Sequence, residues 1–222
     1  YPTYNKEYYE SNDFIATISK VTDDIVKTVA PSVMSQYVPH AVNSEIFRNL
    51  RNDSNYSKLE IRKEMYKLIP DIDEGDLQNK FICFWNNRNA RRKQSGSLIF
   101  WFKKFLDKVG HDKATLIMHT EPKDHHGQDL LKIVEHLGMQ EGQVLFSTQK
   151  MPPEELAKIY NAVDCTINIS DAEGFGLATL ESLSCEVPII VNMTGGLQEQ
   201  VTDGENWFGV GIEPSSKSII GS

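Results

Sequence analysis

From residue 81 onward, short apolar runs alternate with stretches of helical periodicity, and few folds accommodate that alternation. Phe81–Trp85 (FICFW) is an apolar run of strand length that ends in a polar, basic loop. Leu98, Phe102, Phe105 and Val109 recur at helical spacing, Ile99, Trp101 and Leu106 widen the stripe, and Gly110 ends that helix. Further strands are predicted over 114–120, 143–148, 164–170, 187–193 and 207–212. Helices fall between them: Leu130–Leu137, stopped by Gly138; a helix opened by Pro152 and Pro153, with Glu154 and Glu155 in its first turn; and 176–184. Strands and helices at this spacing make βαβ units. The expected fold is α/β, a Rossmann-like, doubly wound parallel sheet covered on both faces, with right-handed crossovers. Ligands of such sheets bind outside the carboxyl ends of the strands, near the switch in strand order.

The chain before residue 81 has another character. A strand is predicted over 13–19, a helix over 22–30, and a short second strand over 34–38 that runs into Pro39–Asn43. Residues 48–55 are polar and linker-like, 58–68 form a charged amphipathic helix, and Asp71–Asp76 is an acidic loop. Two strands and a helix bury too little to stand alone. Residues 1–47 are therefore expected to be the end of another domain, 48–80 a linker with its helix, and 81–222 a domain of its own.

The net charge of −8 argues against a protein that coats nucleic acid. No apolar run reaches the roughly 18 residues that span a bilayer. The first residue is Tyr1 and not Met, which reads as an internal start without a signal peptide. Cys83, Cys165 and Cys185 are far apart in sequence and form no CxxC pair, as expected of reduced thiols in a cytoplasmic protein. Four glycosylation sequons occur, and those at Asn168 and Asn192 fall in or beside predicted core strands, which argues the same way.

Three loops carry chemistry, and each follows a strand. In Asp171–Glu181 (DAEGFGLATLE) a glycine-flanked turn opens a helix near Gly176. The unpaired amides and dipole of that helix start favour an anion such as phosphate, and Gly174 and Gly176 let a ligand approach the backbone. Taken alone, it is also a capped helix with solvated glutamates. Asn86–Lys93 (NNRNARRK) places four cations within six residues of an acidic chain. Arg suits two-point phosphate binding and Lys a point charge; a solvated basic loop or an RNA contact are the alternatives. Aromatic interleaving for base stacking is absent there. Val187–Gly196, followed by Glu199, reads on its own as strand and turn.

Taken in order, these segments resemble family 4 of the retaining glycosyltransferases, which have the GT-B fold. Val38–Asn43 with Phe47 resembles the family's interdomain stretch. Phe84–Arg88 with Lys93 resembles its strand-Gly-Arg-to-Lys phosphate loop. Glu173-Gly-Phe-Gly-Leu177 with Glu181 matches its paired-glutamate motif, and Pro188–Val191 with Gly195, Gly196 and Glu199 matches its terminal signature. The resemblance covers roughly residues 13–212. Three positions depart from it: Asn87 and Ala41 stand where the family usually has glycine, and Glu186 stands where a glycine commonly ends the glutamate helix. A non-glycine in the left-handed conformation there would be strained by about 1 kcal/mol.

The resemblance implies two Rossmann-like domains across a cleft, an N-terminal one for the acceptor and a C-terminal one for a nucleotide sugar, a GDP- or UDP-hexose. Residues 1–47 would be the remnant of the first, so residues 1–222 alone would lack an acceptor site. It implies that Arg88 and Lys93, the latter expected in an open loop, hold the diphosphate. Phe175, Gly176 and Leu177, with Gly174, would meet the sugar or phosphate through their backbone. Glu181 would accept hydrogen bonds from the ribose. Glu173 would hold the transferred sugar nearest the reacting carbon. No cofactor or metal is expected, since two cations replace one. Asp71-Ile-Asp73 resembles a metal-binding DxD but is expected to be solvated, and His119, His125 and His126 lack a suitably spaced third ligand. A non-catalytic nucleotide-sugar-binding module and a phosphorylase or sucrose-synthase type of transfer are the alternative readings.

Overall fold

The computed structural model describes residues 3–53, 56–69 and 74–216. In chain order its elements are α1 (Lys6–Glu10), β1 (Phe14–Thr17), α2 (Lys20–Val29), β2 (Met34–Tyr37), α3 (Lys58–Leu68), α4 (Glu74–Asn79) and β3 (Phe81–Asn86). They continue with α5 (Ser95–Val109), β4 (Ala114–His119), α6 (Leu130–His136), β5 (Val144–Ser147), α7 (Pro153–Ala162), β6 (Cys165–Asn168), α8 (Leu177–Ser184), β7 (Ile189–Asn192), α9 (Leu197–Val201) and β8 (Gly209–Ile212). Every strand lies within two residues of its expected bounds.

Six strands form one all-parallel sheet in the order β5-β4-β3-β6-β7-β8. That is the order of a doubly wound dinucleotide-binding sheet, and it reverses between β3 and β6. The expected fold class is the observed one. β3 explains why its sequence is apolar without alternation. Ile82 and Phe84 point into a core with Phe47, Ile61, Met65 and Tyr160, whereas Cys83 and Trp85 point into the opposite core with Leu98, Ile99, Phe102 and Leu106. α5 turns its Leu98–Phe102–Leu106 row to the sheet. The expected stripe was too wide: Trp101 is 64% exposed, and Phe105 and Val109 lie beside it on the neighbouring row.

The segment expected as a linker is fastened down. Asn161 of α7 bonds the backbone of Arg48 and Leu50, and residues 50–52 make a 3-10 turn. α3, started by a Ser57–Glu60 capping box, packs on α7 and sends Arg62 to Asp164 at 2.6 Å. The acidic loop expected over Asp71–Asp76 is partly helical, because α4 begins at Glu74; Asp71 and Asp73 lie outside the described residues.

β1 and β2 pair in parallel as a second, two-stranded sheet carrying α2. Glu199 of α9 joins the two sheets. It accepts hydrogen bonds from the Tyr37 hydroxyl and the Lys20 amide, both at 2.8 Å. Burial, reinforced by Glu199, pushes the Tyr37 hydroxyl up to about 12.

Glu186 adopts φ 58°, the left-handed conformation foreseen for its position. It closes α8 in a Schellman motif: the Val187 amide bonds the Ser182 carbonyl at 3.0 Å and the Glu186 amide bonds that of Leu183 at 2.9 Å. The Asn49 side chain donates to the Glu186 carboxylate at 2.6 Å, which offsets part of the strain that glycine would avoid.

Candidate functional site

The loop after β3 and the loop after β6 meet at the sheet's switch point. Arg92 donates to the Ala172 carbonyl at 2.8 Å and to the Glu173 carboxylate at 3.0 Å. The Asp171 amide returns a bond to the Arg92 carbonyl at 2.8 Å, and Gln94 bonds Asp171. Between the loops runs an ion pair from Lys93 Nζ to Glu173 Oε2 at 2.5 Å. Lys93 also donates to Asn87 Oδ1 at 2.7 Å. Its side chain is 7% exposed and that of Glu173 12%. The expectation of Lys93 in an open loop is therefore corrected: it ends a 3-10 turn, Arg91–Lys93, whose tight winding aims it inward. Burial lowers the Lys93 pKa, and Glu173 opposes that shift.

Glu173 and Phe175–Ala178 line one wall of a cleft of about 380 Å³. Asn86, Asn87 and Glu181 line it too, and Ile18 and His40 reach it from the first 47 residues. Phe175 is buried, with its ring edge-on to His40 at 5.3 Å. Gly176 has φ 93°, and no side chain caps the start of α8, so the first amides of that helix are open to an anion. Gly174 stands against Ile18. Glu181 faces the cleft from the second turn of α8. The Tyr160 hydroxyl donates to it at 2.7 Å and in turn accepts from Asn86 at 2.9 Å.

Arg88 takes a different direction. It pairs with Asp124 at 2.8 Å, and its Nη2 lies 2.8 Å from His126 Nδ1, with its side chain 61% exposed. Arg88 holds the Asp124 carboxyl well below the usual carboxylate range. The cation that joins Lys93 on Glu173 is thus Arg92. A third ligand does stand beside His125 and His126, contrary to expectation, because Asp124 brings three ligand atoms within 4.8 Å of one another.

Gln200 was not visible as a participant in the sequence. Gln200 bonds the carbonyls of Phe175 at 2.7 Å and Gly176 at 3.2 Å and accepts from Thr179, so it braces the turn into α8. The glycine pair after β7 belongs to the site. A Cβ on Gly195 would stand 1.8 Å from the Glu173 carbonyl oxygen, and the Gly196 amide bonds that same carbonyl at 3.1 Å. Only a glycine pair lets this turn support the Glu173 loop from behind.

Burial raises the Glu181 pKa, against the Tyr160 bond, which lowers it. A carboxyl whose pKa is higher folded than unfolded favours folding below its unfolded pKa. That contribution is lost as pH rises through the folded pKa. Glu181→Gln is therefore expected to melt higher than the parent at pH 7, with the difference shrinking toward pH 4. Melting curves at the two pH values check this; equal melting at pH 7 would contradict it.

The model of the glycosyl transferases group 1 family matches residues 77–219. A D-inositol 3-phosphate glycosyltransferase of Acidothermus cellulolyticus is 45% identical over 56 residues, 25% of this chain and 12% of that protein. A probable sucrose-phosphate synthase of Thermosipho melanesiensis is 25% identical over 204 residues, 90% of this chain and 40% of that protein. Among solved structures, sucrose-phosphate synthase of Thermosynechococcus elongatus superposes with a TM-score of 0.70 at 20% identity, over 96% of this chain and 48% of that one. Anabaena HepE in complex with UDP and glucose gives 0.72 at 15% identity, over 96% and 54%. The chain thus spans about half the length, or less, of these proteins. The structural likenesses show the fold, that of GT-B glycosyltransferases. Among the described residues no helix is long and apolar enough to cross a membrane. With the family model matched over well more than half of its length, this chain belongs to the glycosyl transferases group 1 family.

Proposed function

We propose that the chain binds the donor, a GDP- or UDP-hexose, of a glycosyltransferase that retains anomeric configuration. The Lys93–Glu173 pair at the switch point, beside the uncapped start of α8, carries this reading. Lys93, Arg92 and the α8 amides would hold the diphosphate and stabilise the charge that grows on it as the sugar leaves. These groups supply the positive charge without calling on a metal. Arg88 would join them by leaving Asp124, since its side chain is exposed. Glu181 would accept the ribose hydroxyls, and Glu173 would hold the hexose hydroxyls. Retention would follow if the acceptor attacks on the face the diphosphate leaves, with a leaving phosphate oxygen taking its proton. We read residues 1–47 as part of the domain that brings the acceptor, because Ile18 and His40 line the same cleft.

Calorimetry with UDP, GDP and their hexose conjugates, in the presence of a chelator, tests the donor site. One base is expected to bind. Failure of both nucleotides at millimolar concentration would remove the donor-site reading.

A further inference from the structure

Asn87 is half-buried at the end of β3 and lines the cleft with Glu173, Gly176 and Glu181. Its carboxamide has a fixed orientation. The Lys93 ammonium can only donate, and it lies 2.7 Å from Asn87 Oδ1, so Oδ1 faces Lys93 and Nδ2 points away. A flipped amide would set two donors against each other. Nδ2 is buried and has no hydrogen-bond partner. A buried amide donor without an acceptor destabilises the protein, so in a folded chain it calls for an explanation. Among its neighbours in the cleft, Asn86 is bonded to Tyr160, Tyr160 to Glu181, and Lys93 to two acceptors. Among the described residues the other buried side-chain atoms without a partner, Trp85 Nε1, Thr120 Oγ1 and Asn168 Nδ2, belong to residues that do not line it. The unpaired donor thus belongs to a residue that both lines the cleft and accepts from the buried ammonium.

We infer that Asn87 is a ligand of the donor, its Nδ2 donating to an anionic oxygen of the phosphate that carries the sugar. This rests on the donor-site reading above. Lys93 and Glu173 mark where that phosphate meets the hexose, because one is the cation and the other the carboxylate of the pair. An N–H from the residue that also holds Lys93 would reach the same oxygen set and would be satisfied only when the ligand is bound. Asn87 then discriminates by phosphate count. A nucleoside diphosphate supplies the second phosphate and a monophosphate does not.

The test compares UDP with UMP, or GDP with GMP if guanine is the base, on the whole chain by calorimetry. Asn87→Ala is expected to weaken diphosphate binding roughly tenfold and leave monophosphate binding unchanged. Asn87→Asp keeps the shape and still accepts from Lys93, but sets an anion against the phosphate. Its loss is expected to exceed that of Asn87→Ala, again for the diphosphate alone. Melting curves separate misfolding from lost contact, and the near-isosteric Asp variant serves if the Ala variant does not fold. Unchanged diphosphate affinity in either variant overturns the inference and leaves the donor site standing. So does an equal loss for both nucleotides, which would mean that Asn87 shapes the loop as a whole and makes no contact particular to the second phosphate. Failure of the parent chain to bind any nucleotide would instead remove the donor-site reading.

Discussion

Lys93→Ala is expected to weaken nucleoside-diphosphate binding by roughly ten- to a hundredfold, the worth of one hydrogen bond to a charged group at about 1.5–3 kcal/mol. It should also lower stability. The Lys93 side chain is nearly inaccessible and satisfies two acceptors, Glu173 and Asn87. Removing one member of a buried pair is more damaging than never having had the pair, since the other is left uncompensated. Arg92 still reaches Glu173 from a half-exposed position, so the loss should stop at about 1–3 kcal/mol, the range for a buried polar group left unpaired. Lys93→Met separates the two effects. It restores the buried stem and most of the packing, so part of the melting temperature should return, whereas the affinity should not. Calorimetry and melting curves of both variants provide the check. Diphosphate affinity equal to the parent's in Lys93→Met would mean that this ammonium is a structural strut and touches no phosphate.

The centre of the sheet was legible because burial on both faces leaves nearly unbroken apolar runs in β3 and β4, whereas the edge strand β8 is apolar although Val210 and Ile212 are exposed. The helices were legible where capping and glycine stops agreed with periodicity, as in α7 and at Gly110. What stayed hidden depended on long-range contacts. The row of α5 that faces the sheet follows from where α6 and the strands lie, and a stripe seven residues wide could not reveal it. Arg88 and Arg92 are equivalent in a basic run, yet the 3-10 turn carries Arg92 to Glu173 while Asp124, distant in sequence, captures Arg88. The Gly195–Gly196 turn was singled out by the family resemblance, but its own residues read only as strand and turn, because its reason is the Glu173 backbone pressed against it. Glu186 was legible in full: a position that closes a helix needs a left-handed residue, whichever side chain stands there.

Glu173→Gln is expected to separate nucleotide binding from sugar chemistry. In the parent, the Glu173 carboxylate partly neutralises Lys93 and Arg92, the two cations nearest the proposed phosphate. Removing its charge frees them, so UDP or GDP affinity should hold or rise. The nucleotide sugar should lose the extra affinity it has over the bare diphosphate, because a hydroxyl-to-carboxylate bond becomes a neutral one. If that bond tightens as the sugar gains positive charge, its loss falls on the rate of sugar release, about ten- to a hundredfold. A second consequence follows from the sign of the Lys93 shift. Burial already lowers that pKa and Glu173 opposes the shift, so without the carboxylate it falls further. Diphosphate affinity of the variant should therefore decline at a lower alkaline pH than the parent's, as the ammonium loses its proton. Titrations of UDP, GDP and their hexose conjugates across that range, with donor hydrolysis measured beside them, decide the matter. A plain surface glutamate would give none of this, since such a substitution changes stability by only about 0.5 kcal/mol. Sugar release at the parent's rate, with an unchanged preference for the conjugate, would mean that Glu173 does no more than anchor Lys93.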